Sequence, residues 1–192
     1  MGYVKIVKTV LNSLEFHCFL AAIVFITICS QSSFFYPLNE WGDVNCYFII
    51  GQGMTKGLVP YRDLYDHKGI VIFTLYAIAN LISTKSFLGL YILEIISAYF
   101  FLFITMKITD LFCDVKKYSM ALCIIVAGCV YSTDSICQGG SAEELLLPLF
   151  SYGLYLCVKQ IVNKCIPSKK EMLLFGILAG LIFYSKFTLC IS

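Results

Sequence analysis

The side chains able to do chemistry fall in three short stretches and one outlier. The first stretch is Trp41-Gly42-Asp43-Val44-Asn45. The second is Gly57 to Gly69, GLVPYRDLYDHKG, which carries Tyr61, Arg62, Asp63, Asp66, His67 and Lys68. The third is Gly139-Gly140-Ser141-Ala142-Glu143-Glu144, and Lys186 stands apart near the end of the chain. A carboxylate, a guanidinium, an imidazole and an ammonium brought to one place are the parts of an active site. Each also has a plainer use. Asp43 suits the N-cap of a helix beginning at Val44. Arg62 and Lys68 can reach toward lipid headgroups while their stems lie in apolar surroundings. Asp63 and Asp66 read as turn residues or as ion-pair partners of Arg62 and Lys68. His67 has no partner pattern, Tyr61 and Tyr65 are typical interface aromatics, and Glu143 and Glu144 suit the start of a helix, where acids complement the dipole.

What must position these residues is a membrane. The chain is 59% hydrophobic and only 14% charged, with mean hydropathy +0.84, against about 25% charged in an ordinary soluble domain. The apolar residues come in long runs at 16–36, 70–83, 87–106, 118–132, 144–162 and 172–190. A formal charge of +2 without a basic, aromatic-laced stripe argues against a nucleic-acid partner. The ten cysteines include no C-x-x-C pair, and Cys18, Cys29, Cys123, Cys129, Cys157 and Cys190 sit inside apolar runs as small hydrophobes. Cys46 and Cys137 fall in expected external loops, where an oxidising compartment permits a disulfide. Lys5 and Lys8 precede the first run in the manner of a signal peptide, but Ser30-Gln31-Ser32-Ser33 offers no A-x-A cleavage site, so a retained span is expected.

A bilayer crossing takes roughly 17–25 residues, which makes the run 70–83 the doubtful one. If it lies in the interface, Lys5, Lys8, Lys107, Lys116, Lys117, Lys159, Lys164, Lys169 and Lys170 fall inside and Lys56, Arg62, Lys68, Lys85 and Lys186 outside, nine against five. If it spans, the count becomes four against ten. The positive-inside rule therefore selects five spans, at 16–36, 87–106, 118–132, 144–162 and 172–190, with a cytoplasmic N-terminus. An external loop covers 37–86 and contains two surface helices, 44–56 and 70–83, around the polar segment Gly57 to Gly69. Gly57 and Pro60 end the first of them. All three chemical stretches then share the external face. Glu94, inside the second span, is a functional candidate by its depth alone.

Asp43 just after the first span, GLVPYRDLYDHKG, GGSAEELLLP and GILAGLIFYSKFT together resemble the GT-C membrane glycosyltransferases, in particular the branch of protein O-mannosyltransferases and lipid A aminoarabinose transferases. The resemblance runs over essentially all 192 residues. It implies an all-α, multi-pass bundle with interfacial helices, and transfer of a sugar from a polyprenyl phosphate to an extracytoplasmic acceptor, a glycan, lipid or protein. In that chemistry Asp43 is the general base for the acceptor hydroxyl. Arg62, Lys68 and Lys186 hold the donor phosphate. Glu143 or Glu144 forms a second acidic motif that binds the acceptor or shares a divalent metal with Asp43, and spacing to the following Leu-Tyr run favours Glu143. Asn45, Tyr61, Asp63, Asp66 and His67 form the supporting loop. Many relatives have Pro-Pro after the lysine where this chain has Gly69-Ile70, and family members are usually much longer, so the chain looks like the N-terminal part of a full enzyme. The expected compartment is a bacterial plasma membrane. Two other readings fit the composition: a transporter or flippase component for lipid-linked sugars, which needs polar residues deep in several spans where only Glu94 qualifies, and an inactive fragment or scaffold.

Overall fold

The computed structural model describes residues 13–186, which are helical with no β-strand among them. Helix α1 (Leu14–Cys29) starts where the Ser13 hydroxyl accepts the Phe16 N–H at 3.2 Å. It stops earlier than the apolar run 16–36 suggests. Ser30, Ser32 and Ser33 turn inward and are buried, and the Ser33 hydroxyl donates back to the Thr27 carbonyl at 2.8 Å. Hydroxyls that satisfy the backbone locally compete with helix, so the chain bends through 30–40 although Phe34, Phe35 and Tyr36 keep it apolar.

Helices α2 (Gly42–Thr55) and α3 (Ile70–Ile82) match the bounds of the two helices expected at 44–56 and 70–83 within two residues. They pack tightly on each other: a Cβ on Gly51 would stand 2.6 Å from the Tyr76 carbonyl carbon, so only glycine lets the two backbones meet. Helix α4 (Leu88–Asp110) is the spine. A 3-10 turn (Lys116–Tyr118) leads to α5 (Ser119–Tyr131), a short α6 (Asp134–Cys137), α7 (Ala142–Asn163) and α8 (Lys169–Phe183). A capping box opens α8, with Ser168 and Glu171 satisfying each other's N–H groups. The helix ends at Phe183, short of the 172–190 run, whose last residues 187–190 lie outside the described part.

Two apolar cores meet on α4. One joins α1, α4 and α5 through Cys18, Ala22, Ile26, Ala98, Leu102 and Cys123. The other joins α2, α3, α4 and α7 through Val44, Tyr47, Phe73, Tyr76, Leu90 and Leu146. Of the described helices, α4 with 23 residues and α7 with 22 are long and apolar enough to cross a membrane. The apolar helices α1, α3 and α5 are shorter, at 16, 13 and 13 residues. Large apolar side chains also face outward, among them Phe100, Leu154, Ile161, Leu173 and Ile177.

Candidate functional site

The site is a cleft of about 490 Å³ between the start of α2, the α6–α7 turn and the residues that follow α8. Asp43, Tyr47, Glu143 and Lys186 line it, with Trp41 and Gln138 beside them. Asp43 does not cap α2. The helix begins one residue earlier, with Trp41 at the cap position and no side-chain cap bond. Asp43 therefore sits inside the first turn and projects its carboxylate, half exposed, into the cleft. Tyr47, one turn on, donates its hydroxyl to Asp43 Oδ2 at 3.1 Å. Burial, helped by the Asp43 carboxylate, holds the Tyr47 phenol well above the usual tyrosine range, so it stays a donor.

The Lys68 ammonium stands 3.8 Å from Asp43 Oδ2, and its side chain is largely buried. It is also near enough to act on the charge of Glu143. Glu143 in turn is ion-paired with Lys186. Two carboxylates and two ammonium groups from distant parts of the sequence thus come together, with Asp43, Glu143 and Lys186 lining the opening and Lys68 largely buried against Asp43. The segment that carries Lys68 is fixed by backbone contacts. The Gly69 N–H donates to the Ser185 carbonyl at 2.8 Å, and the Val71 N–H to the Tyr184 carbonyl at 3.3 Å. A Cβ on Gly69 would stand 1.7 Å from the Tyr184 oxygen. A proline at 69 could neither donate nor fit. Gly69 is therefore a structural requirement of this packing, which lays the backbone just after Lys68 against that of Tyr184 and Ser185.

The remaining predicted residues support the cleft or stand away from it. Asp66 accepts the Lys68 N–H at 2.9 Å and the Cys46 thiol at 3.2 Å. Cys46 is thus a free thiol, not half of a disulfide; the side chain of Cys137 lies outside the description. Burial, with Asp66 adding to it, pushes the Cys46 thiol up to about 11. Tyr61, held at φ 67°, donates its hydroxyl to the Lys68 carbonyl at 2.6 Å. Asn45 donates to the carbonyls of Asn39 and Trp41 at 2.8 and 2.9 Å, which secures the entry to α2. His67 lies in the loop with its ring 3.4 Å from Asp66 and 70% exposed.

Arg62 is not brought to the cleft. Its side chain is 71% exposed and gives two hydrogen bonds, at 2.9 and 2.8 Å, to its neighbour Asp63. The Arg62 guanidinium holds the Asp63 carboxyl below the usual carboxylate range, and Asp63 also accepts the Val59 N–H at 2.8 Å. The two adjacent glutamates separate. Glu143 faces the cleft, whereas Glu144 is fully buried and accepts the Gly140 N–H at 2.9 Å. Gly139 and Gly140 both lie at φ near 76–77°, a conformation glycine adopts without penalty. Glu94 is likewise fully buried and accepts the Ser30 hydroxyl at 2.5 Å. Among the described residues, no three His, Cys, Asp or Glu side chains gather closely enough to hold a metal ion.

Sequence reasoning missed Tyr47 as a partner of Asp43, although the i, i+4 spacing in a helix signals it. It also missed Asn39, for which no local pattern speaks. No family model, curated protein or solved structure matches the chain.

Proposed function

We propose that the chain carries the reaction cleft of a multi-pass membrane glycosyltransferase that moves a sugar from a polyprenyl-phosphate donor to an extracytoplasmic acceptor. The observation that carries this reading is the gathering of Asp43, Glu143 and Lys186 around one opening, with Lys68 paired to Asp43 beside it. A donor phosphate entering there takes over the two ammonium groups, which frees Asp43 to accept a proton. The acceptor hydroxyl attacks the anomeric carbon, its proton passes to Asp43, and the bond from that carbon to the phosphate oxygen breaks with its electron pair leaving on the phosphate. Lys68 and Lys186 meet the charge that develops. The leaving group is already anionic, so positive charge serves it better than an acid. Tyr47 orients the base. Arg62, bound to Asp63 at the exposed edge of the loop, has no part in this scheme.

The membrane setting is supported by the two long apolar helices and by the outward-facing Phe100, Leu154, Ile161 and Leu173; apolar surface on this scale marks contact with lipid or another protein. On this reading α1, α4, α5, α7 and α8 span a bacterial plasma membrane with the N-terminus cytoplasmic, and α2 and α3 lie at the external face. A transporter reading draws only on the buried carboxylates Glu94 and Glu144 and gives no role to the lysine–carboxylate cleft.

The test uses membranes containing the full-length gene product, radiolabelled polyprenyl-phosphate sugars and a cell-envelope acceptor extract. Asp43→Asn, at equal expression, is expected to cut transfer by roughly 100-fold or more, the scale of a lost general base. Equal transfer by both proteins removes Asp43 from the chemistry.

A further inference from the structure

Asn39 is a polar residue in a bend, 3% exposed, with its hydrogen-bonding groups engaged on three sides. Its amide nitrogen reaches the Ser32 hydroxyl at 3.3 Å and the carbonyls of Gln138 and Gly139 at 2.8 and 3.4 Å. Its amide oxygen accepts the Trp41 N–H at 3.0 Å, and its own carbonyl accepts from Asn45 at 2.8 Å. Asn39 therefore grips the turn after α1 and the turn that begins α7 through its side chain, and the start of α2 through its side chain and its backbone carbonyl. Each gripped segment is itself anchored. The Ser32 N–H donates to the Ser30 hydroxyl at 3.0 Å, and Ser30 donates to the buried carboxylate of Glu94 on α4. Beyond Gly139, Gly140 is held by its N–H to Glu144 and by its carbonyl, which accepts the Tyr76 hydroxyl at 2.6 Å.

The two cleft carboxylates sit just beyond these grips, Asp43 four residues after Asn39 and Glu143 four residues after Gly139. The lysines are held by other means: Lys68 by the Gly69–Ser185 backbone contact, and Lys186 directly after that contact.

We propose that Asn39 is the positioning residue that sets the spacing of Asp43 and Glu143 across the cleft, by tying the start of α2 to the turn that begins α7. It touches no reacting atom; it acts through the backbone of the two segments that carry the carboxylates. Its role in catalysis rests on the glycosyl-transfer reading, whereas its role in geometry does not. Loss of the tie leaves the phosphate-binding lysines in place and misaligns the base, so turnover suffers while donor affinity does not. A general loss of packing has no such selectivity.

The experiment places nitroxide-bearing non-natural amino acids at positions 40 and 133, both exposed, in the full-length protein in lipid nanodiscs, which leaves the native thiols untouched. Double electron–electron resonance then reads the distance between the two segments. Asn39→Asp keeps the volume and the acceptor for Trp41 but turns the donors toward Gln138 and Gly139 into acceptors; Asn39→Ala removes every bond made by the side chain and leaves the carbonyl that accepts from Asn45. The wild type is expected to give one narrow distance and both variants to lose it. In the transfer assay, the Asp variant is expected to lose roughly 100-fold in kcat, the cost of a misplacement of about 1 Å, with donor KM within about twofold. A narrow wild-type distance retained in Asn39→Asp overturns the proposal, as does a loss carried entirely by KM. If Asn39→Ala fails to fold, Asn39→Asp decides alone. If the wild type transfers no sugar from any donor, the glycosyl-transfer reading falls and the distance measurement still decides the role of Asn39.

Discussion

Replacing Gly69 with alanine adds one methyl group at the point where the Lys68 segment crosses the end of α8. That carbon would lie 1.7 Å from the Tyr184 oxygen and 2.2 Å from its carbonyl carbon, with the Ser185 nitrogen at 2.8 Å. Ordinary contact begins near 3.4 Å, so the two backbones must part by more than an ångström. The three nearest atoms are all main chain, so no flexible side-chain end can yield there. Separation on that scale breaks the Gly69–Ser185 and Val71–Tyr184 hydrogen bonds. Each such bond contributes about 1 kcal/mol net, and overpacking adds about 1–3 kcal/mol. A total near 4 kcal/mol corresponds to a fall of roughly 8–16 °C in melting temperature for a domain of this size. Because Lys68 and Lys186 flank the contact, transfer is expected to fall by roughly 100-fold as well. Scanning fluorimetry in detergent reads the first effect and the radiolabel assay the second. The matched control is Gly176→Ala, where an added Cβ meets nothing within 4 Å and a helix interior gains about 1 kcal/mol. A Gly69→Ala protein that melts within a degree of wild type and transfers normally refutes the claim that this contact builds the cleft.

Two further outcomes follow from the same geometry. Arg62→Ala is expected to leave transfer within about twofold, because Arg62 is committed to Asp63 at the surface, whereas Lys186→Ala removes a preorganised donor to developing charge and is expected to cost roughly 100-fold; the reverse order would return Arg62 to the phosphate site. The Cys46 thiol, pushed up from 9.0 to about 11 in the fold, carries roughly 100-fold less thiolate at pH 8 than an unperturbed thiol. Its alkylation, read by mass spectrometry of the Cys46 peptide, is expected to be slow at pH 8 and to accelerate toward pH 11. Since the folded value lies above the unfolded one, the contribution of this group to stability is full below pH 9 and is lost as pH rises toward 11. Asp66→Asn is expected to speed the alkylation, and no change on that substitution would detach Cys46 from Asp66.

The sequence was informative wherever periodicity or composition carried the information. The helices at 42–55 and 70–82 were legible from their apolar residues and from Gly57 and Pro60, and the long helix at 88–110 from its long apolar run. The overrun at 30–36 came from reading apolarity as helix where three serine hydroxyls turn the chain inward. At the site, the residue types of Asp43, Lys68, Glu143 and Lys186 were legible, and the structure brings the four together. Which cation meets which carboxylate was not. Arg62 looked like the better phosphate ligand because of its chemistry, but its side chain is taken by the acid next to it, a choice between two neighbours that no pattern of residues encodes. Glu143 and Glu144 differ only in which side of one helix they occupy, and a shift of one residue in the start of α7 would exchange them. Asn39 was invisible because all its partners but Trp41 and Asn45 lie at a distance in the chain.

The Gly69–Ser185 contact also bears on when the site comes into being. The two strands of that contact are separated by about 116 residues, which a ribosome makes in roughly 6–23 s at 5–20 residues per second. Throughout that interval the Lys68 segment has been synthesised but has nothing to lean on, and its two N–H groups must be satisfied by water or by whatever escorts the nascent chain. Asp43 and Lys68, the earliest-made parts of the cleft, therefore wait for its latest-made part. Formation of α8 and of the residues that follow it is the event that completes it, so a delay or a stall at that helix leaves a chain whose first seven helices have been made and whose cleft has not.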